Sequence, residues 1–368
     1  MNILFDHQIF YMEQYGGVSR YFYEIANRIA ETEENKVEIF APLYVNEYFR
    51  NDCMIRPQGI KIPLLPRSGR VMAAVNTTIS QLRVRSRGDV DIYHETYYSM
   101  ADCCPRKAKR VITVYDMIHE KFAESFPQRD RTREIKAHAV RRADHVICIS
   151  ENTRRDLIEL VGIPEEKTSV VYLGYSLAMG GDATKPVVGE KPYILYVGKR
   201  GGYKNFKGLI HAYGNSLLLK NEFSLVCFGG GAFTARERAL MESLKITANQ
   251  VMHLSGDDDV LAGLYAAAAV FVYPSLYEGF GIPPLEAMSF GCPVVCANTS
   301  SLPEVVGDAA EMFDPADEAK MCSALEHVVT STARANFLIE RGRLRCKQFS
   351  WEKCASETLD VYKRVLQD

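Results

Sequence analysis

Two glutamates eight residues apart, Glu278 and Glu286, frame the turn Gly279-Phe280-Gly281 and the prolines Pro283 and Pro284. A strand-like run ends at Pro274 just before them, and proline suits the first turn of a helix, so the glycines are expected at a helix N-terminus. Backbone N–H groups and the helix dipole there favour a phosphate. Carboxylates beside a phosphate would repel it, so Glu278 and Glu286 read as acceptors of hydrogen bonds from vicinal sugar hydroxyls. The plainer alternative is a helix start that favours early acidic residues. Lys199, Arg200, Lys204 and Lys207 gather positive charge in a glycine-containing loop after the apolar run 193–198. Such a loop suits the charge that develops on a leaving diphosphate; otherwise it is a solvated loop.

Further candidates lie in the first half of the chain. Gly16-Gly17 offers a turn whose backbone can approach a phosphate or an acceptor closely, or marks a mere helix start. The run 111–115 leads into Asp116 and His119, and His94-Glu95 closes the preceding strand, so these residues fall where a reactive crevice is expected; a packed or surface histidine is the alternative for His94 and His119. Asp89-Val-Asp91 and Asp257-Asp258-Asp259 contain Asp-x-Asp, a string that can hold a divalent metal. Each reads better as an acidic cap before a strand or helix, and no metal is expected.

The elements that must position these residues alternate along the chain. Strand candidates at 2–7, 36–43, 59–65, 91–95, 110–115 and 145–150 are separated by helix-like stretches such as 70–87, 128–143 and 152–161. After 174–192 a second series follows at 193–198, 223–229, 250–255, 270–274, 293–297 and 311–313. Alternation of this kind means a parallel sheet with helices on both faces, so the fold class is α/β with two Rossmann-like doubly wound domains facing one cleft. The first domain is expected over 1–175 and the second over 190–351, with 177–190 as a linker. A closing helix over 352–368, with Ala355, Leu359, Tyr362 and Leu366 on one stripe behind Trp351, packs back on the first domain.

Composition bounds the function. The 368 residues carry 44 Lys/Arg against 46 Asp/Glu, a net charge of −2, which argues against a nucleic-acid partner held through phosphates. The segment 106–155 is the exception, with 13 basic and 7 acidic residues; it is either a solvated face or a surface for anionic lipid or substrate. Ten cysteines without a CxxC pair, several in apolar runs, favour a reduced compartment without zinc or disulfides. No transmembrane run and no secretory leader is apparent, so a cytoplasmic location is expected. No Gly-x-Gly-x-x-Gly follows the first strand, which weakens a nicotinamide reading.

The stretch 273–288, with its Glu-x7-Glu spacing, resembles the retaining glycosyltransferases of family 4, which have the GT-B fold. Gly16-Gly17-Val-Ser-Arg-Tyr, Tyr196-Val-Gly-Lys-Arg200 with Lys204-Asn205, Phe228-Gly229-Gly230 and Leu302-Pro-Glu304-Val extend the likeness over nearly the whole chain. The resemblance implies that Glu286 binds the donor ribose, that Glu278 contacts the donor sugar, and that Arg200 and Lys204 neutralise the diphosphate, with Lys199 able to replace Arg200. Gly17, Gly230, Gly279, Phe280 and Gly281 complete the donor-binding set. Related sequences often carry His-Asp where this chain has Tyr115-Asp116. Asp116 is therefore kept as a catalytic candidate, and His94, Tyr115 and His119 are placed on the acceptor side.

The reaction so implied moves a hexose, mannose from GDP-mannose, from a nucleotide-diphosphate sugar to a glycan or lipid-linked acceptor in lipopolysaccharide or capsule assembly. It needs no metal and no cofactor. A sugar-nucleotide 2-epimerase of the same fold and a non-catalytic nucleotide-sugar-binding homologue are the alternatives; a pyridoxal-phosphate phosphorylase would be far longer. The basic residues Arg131, Arg133, Lys136, Arg141 and Arg142 are expected to bring the first domain to an anionic inner membrane face as a peripheral contact.

Overall fold

The computed structural model describes the chain apart from residues 33, 50–53, 67, 177–187 and 368. Most of the expected linker, 177–190, thus lies outside the described residues. The first series of elements is β1 (Asn2–Phe5), α1 (Gln8–Met12), α2 (Gly17–Ala30), β2 (Lys36–Tyr44), β3 (Pro57–Lys61), α3 (Gly69–Arg83), β4 (Ile92–Glu95), β5 (Lys109–Val114), α4 (Ile118–Lys121), α5 (Thr132–Arg142), β6 (His145–Cys148), α6 (Glu151–Val161) and β7 (Thr168–Val170). The second is β8 (Tyr193–Val197), α7 (Phe206–Asn215), α8 (Leu217–Glu222), β9 (Ser224–Phe228), α9 (Ala235–Ser243), β10 (Val251–Leu254), α10 (Asp258–Ala267), β11 (Val270–Tyr273), α11 (Ile282–Ser289), β12 (Val294–Ala297), α12 (Leu302–Val306), β13 (Ala310–Phe313), α13 (Glu318–Thr330) and α14 (Thr332–Cys346). Helix α15 (Trp351–Gln367) ends the chain.

Two compact units result, Met1–Gly174 with Trp351–Asp368, and Tyr175–Ser350. The first holds a seven-stranded sheet in the order β3-β2-β1-β4-β5-β6-β7, the second a six-stranded sheet in the order β10-β9-β8-β11-β12-β13. Neighbouring strands pair in parallel in both sheets. Inner strands such as β9 and β11 are buried along their whole length, because helices cover both faces and leave no polar side to alternate with. Strand order reverses between β1 and β4 and between β8 and β11, and the loops leaving these strands are where a doubly wound sheet offers a crevice.

Several expected boundaries shift for local reasons. The strand expected over 59–65 ends at Lys61, since Pro63 has no N–H to donate to the sheet. Strand β7 and the short helices α1 and α4 carry too few residues to show a period. Helix α15 buries Trp351, Cys354, Ala355, Thr358, Val361, Tyr362 and Val365, and Leu366 is exposed, so the inward stripe lies about one residue off the one expected. It packs on α2, with Trp351 against Tyr21 at 6.4 Å between ring centres and the Tyr362 ring edge-on to His94. The nine described cysteines are free thiols, and burial pushes the thiols of Cys103 and Cys296 up to about 12. Among the described residues no helix is long and apolar enough to cross a membrane.

Candidate functional site

The second unit builds its site at the switch between β8 and β11. Strand β8 is a buried apolar run that stops at Gly198, whose φ of +130° turns the chain outward. A short turn over Gly202–Lys204 follows, closed by Asn205 in the left-handed region with φ 53°. The Asn205 side chain donates to the Pro315 carbonyl at 2.9 Å, and the Leu276 amide donates to the Tyr203 carbonyl at 2.7 Å, which fastens this loop to the one leaving β11. Lys204 is thereby aimed at Glu278: its Nζ donates to Glu278 Oε1 at 2.7 Å and lies 3.3 Å from the Tyr273 hydroxyl. The ammonium also sits over the rings of Tyr203 and Tyr273, which favour a cation in a partly enclosed place.

The turn after β11 is held from behind. The Glu278 amide donates to Ser300 Oγ at 2.9 Å, and the Ser301 hydroxyl lies 2.9 and 2.7 Å from the carbonyls of Glu278 and Phe280. Gly281, with φ +112°, caps α11, and a Cβ there would come within 2.8 Å of Leu302. Pro283 and Pro284 fill the first turn of α11, so the helix N-terminus expected from the sequence is present. Phe280 contributes only backbone, because its ring is buried against Phe349. Glu286 is set within α11 and accepts from the Tyr265 hydroxyl at 3.3 Å. Tyr273, Asn205, Ser300 and Ser301 were not among the expected residues; the positive φ of Ser300 leaves no sequence mark.

Arg200 is spent differently from the expectation. Its guanidinium donates to Glu237 Oε1 and the Gly229 carbonyl, both at 2.9 Å, and to the carbonyls of Gly231 and Ala232 at 2.7 and 3.0 Å. The side chain is only 3% exposed and is stacked between Phe206 and Phe233. It braces three successive left-handed glycines, Gly229, Gly230 and Gly231. A Cβ on Gly230 would sit 2.9 Å from the Gly198 carbonyl and 3.1 Å from the guanidinium, so the loop after β9 lies tight on the loop after β8. Beside this brace opens a cavity of about 830 Å³, lined among others by Lys199, Lys207, Thr234, Arg236 and Glu237. Lys199, Lys207 and Arg236 are exposed there, so cations other than the enclosed Arg200 are available to a ligand.

In the first unit the acceptor-side expectations need correction. His94 is fully buried: Nδ1 and the Tyr362 hydroxyl are 2.5 Å apart, Nε2 and Thr113 Oγ1 2.9 Å, and burial drives its pKa from 6.5 to about 3. It is a neutral core histidine and is not accessible to an acceptor. Tyr115 is likewise a core residue, donating to the Thr96 carbonyl at 3.2 Å and packed edge-on to Tyr21 and Phe22. His119 stacks on Phe126 with ring centres 3.9 Å apart, and its Nε2 lies 3.9 Å from Asp130. Asp116 remains partly exposed at the carboxyl end of β5. Its carboxylate accepts from the Ile118 amide at 3.0 Å, and Lys136 donates to its carbonyl at 2.8 Å. Gly17 opens α2 behind its cap Gly16, and nothing stands within 4 Å of a Cβ placed on it.

The basic segment is also less free than its composition implies. Lys136 is buried on Glu120 at 2.8 Å, Arg142 reaches Glu95 at 2.7 Å, and Arg141 donates to the Val161 carbonyl. Among the described residues no group of three or more His, Cys, Asp or Glu is placed to hold a metal ion. Asp89 pairs with Arg87, and Asp257 caps α10.

Residues 15–178 match the family described as Glycosyltransferase Family 4, and residues 182–345 match Glycosyl transferases group 1. The O-antigen chain mannosyltransferase B of Escherichia coli is 28% identical over 369 residues, spanning 94% of this chain and 96% of that protein. A sucrose-phosphate synthase from Thermosynechococcus elongatus superimposes with a TM-score of 0.77 at 20% identity, covering 100% of this chain and 99% of that one. Anabaena HepE in complex with UDP and glucose gives 0.71 at 18% identity, covering 98% and 99%. The first half of the chain thus carries a family 4 glycosyltransferase domain and the second half a group 1 glycosyl transferase domain, on two parallel sheets that share the GT-B fold of these neighbours.

Proposed function

We propose that this glycosyltransferase moves mannose from GDP-mannose, with retention of configuration and without a metal, to a hydroxyl of a glycan or lipid-linked acceptor in assembly of a lipopolysaccharide O-chain or capsule. The observation that carries the reading is the Lys204–Glu278 pair at the β8–β11 switch, one cation and one carboxylate held 2.7 Å apart beside a glycine turn that opens a helix. Lys204 stabilises the diphosphate as the bond to the anomeric carbon breaks. Glu278 accepts from hydroxyls of the sugar, Glu286 from those of the ribose, and the first turn of α11 supplies amides for phosphate oxygens. The acceptor hydroxyl attacks from the face the diphosphate leaves and passes its proton to a leaving phosphate oxygen, so no covalent enzyme intermediate is needed. Lys199 completes the donor set of the second unit, and Asp116 is the catalytic candidate of the first. The name of the Escherichia coli relative, an O-antigen chain mannosyltransferase, supports mannose, and the UDP and glucose bound by HepE support a nucleotide sugar as the donor class.

A panel of nucleotide-diphosphate sugars tested by thermal shift and hydrolysis checks the reading. GDP-mannose should raise the melting temperature of the native protein but not of Glu286→Ala or Lys204→Ala. Anomeric analysis of the product by NMR should show retention, and a chelator should leave the rate unchanged. Stabilisation by UDP-glucose or UDP-GlcNAc alone would reassign the donor. Conversion of the sugar to its C2 epimer without an acceptor would replace transfer by epimerisation.

A further inference from the structure

Residues 54–88 carry seven Lys or Arg and not one Asp or Glu, in a chain where 46 of 368 residues are acidic. The stretch contains the edge strand β3, the turn before α3, and α3 itself. Helix α3 is fixed with one face inward: Met72, Asn76 and Ser80 are buried, and the Asn76 side chain both accepts from the Leu43 amide at 2.7 Å and donates to the Leu43 carbonyl at 2.9 Å. Its outward side carries large apolar side chains as well. Val71 is 65% exposed and Leu82 74%, with Ala74 and Thr78 between them, so the stripe contains no charge. Exposed Ile60 of β3 joins Leu82 and Arg83 around a hollow of about 570 Å³, and Leu64 and Leu65 are exposed just before the helix.

Charge frames this apolar stripe. Lys61, Arg85 and Arg87 are paired with Glu47, Asp102 and Glu38, carboxylates brought from outside the stretch. Arg70 and Arg83, at the two ends of α3, form no ion pair with a described residue. An apolar stripe flanked by arginines and without a carboxylate fits the boundary between lipid headgroups and acyl chains, where the side chains enter the apolar layer and the guanidiniums meet phosphates. Two such faces from two copies of the chain would bring like charges together. We infer that β3 and α3, rather than the basic helix α5, are the surface by which the first unit docks on a bilayer containing anionic lipid. The inference rests on the lipid-linked acceptor reading for its purpose only; the surface is defined without it.

The test is sedimentation of the full chain with vesicles of phosphatidylcholine alone or mixed with phosphatidylglycerol. The native protein should sediment with the mixed vesicles and not the neutral ones, and added salt should release it. Arg70→Ala/Arg83→Ala should weaken partitioning about thirtyfold, and Val71→Asp/Leu82→Asp at least as much. Arg129→Glu/Arg133→Glu at the start of α5 should bind as the native protein does. All four positions on α3 are exposed, and an unchanged circular dichroism spectrum and an unchanged melting-temperature response to nucleotide sugar confirm that folding and donor binding are intact. Equal binding to both vesicles, loss only in the α5 variant, or native binding by both α3 variants would overturn the assignment. So would a native dimer that Leu82→Asp converts to a monomer, which would give the face to a second copy. Vesicle binding by a chain that no nucleotide sugar stabilises would leave the surface standing and remove the transferase reading.

Discussion

Lys204 reaches from the loop after β8 to Glu278 in the loop after β11, closing a 2.7 Å contact between two residues that the family resemblance assigns to different parts of the donor. In the chain by itself the carboxylate balances the ammonium, and a diphosphate brings a second anion to the same cation. Lys204→Ala should therefore lower kcat/KM by about a hundred- to a thousandfold, as loss of one preorganised donor does. Glu278→Gln should separate two effects. Relief of repulsion should let a nucleoside diphosphate bind about tenfold tighter, while transfer slows because the sugar is no longer held. Calorimetry beside initial rates reads both, and parallel weakening of binding and rate would count against this division of labour.

Arg200 and Lys199 are neighbours with different predicted failures. Arg200 is enclosed by Glu237, the carbonyls of Gly229, Gly231 and Ala232 and two aromatic rings, so Arg200→Ala should cost about 3 kcal/mol of stability by stranding Glu237 and loosening the glycine loop. Lys199→Ala, at an exposed position on the cavity, should change stability by no more than about 0.5 kcal/mol yet weaken donor binding. Denaturant melts of both variants, paired with donor titrations, check this. A stable Arg200→Ala that has lost only donor affinity would return the diphosphate role to Arg200.

The candidate site of the second unit was the more legible because its chemistry is local. Glu278, Gly281, the two prolines and Glu286 lie within nine residues, and glycine and proline announce the turn and the helix start that they produce. The tight strand ends were legible for the same reason. What escaped reading depends on contacts across long stretches of sequence. His94 stands at a strand end where a reactive crevice is expected, but Tyr362 from the last helix, 268 residues away, covers it. Lys136 counts as surface charge in a composition, yet it is buried on Glu120 and the Asp116 carbonyl. Which side of α3 turns outward is not legible in the sequence, because an apolar residue reads as core whichever way it faces; Asn76, bonded at both ends to Leu43, fixes the side that packs.

Gly281 tests how closely the helix N-terminus must be placed. Its φ of +112° is open to glycine and strained for other residues, and an added methyl would meet Leu302 at 2.8 Å. Gly281→Ala should cost about 2 kcal/mol and weaken nucleotide-sugar binding with it. Adding Leu302→Ala removes the clash and leaves the backbone strain, so the double variant should recover only part of the donor affinity. Full recovery would show that the left-handed backbone at this position is not required.

The buried His94 makes a signed prediction for acid stability. Burial holds its folded pKa at about 3 against 6.5 for the free side chain, so between those values the unfolded chain binds a proton that the folded one refuses. Stability from this group is full above about pH 6.5 and is lost as pH falls, by about 1.4 kcal/mol per pH unit. His94→Asn removes the titration but also the contacts to Tyr362 and Thr113, which should cost about 2 kcal/mol at neutral pH. The native protein should thus be the more stable of the two at pH 7, and the difference should close near about pH 5 and reverse below it. Asp6, His7 and Glu95 titrate in both proteins and cancel in the comparison. Denaturant melts across that range read the difference directly, and a gap that stays constant with pH would mean that His94 takes up its proton in the folded core.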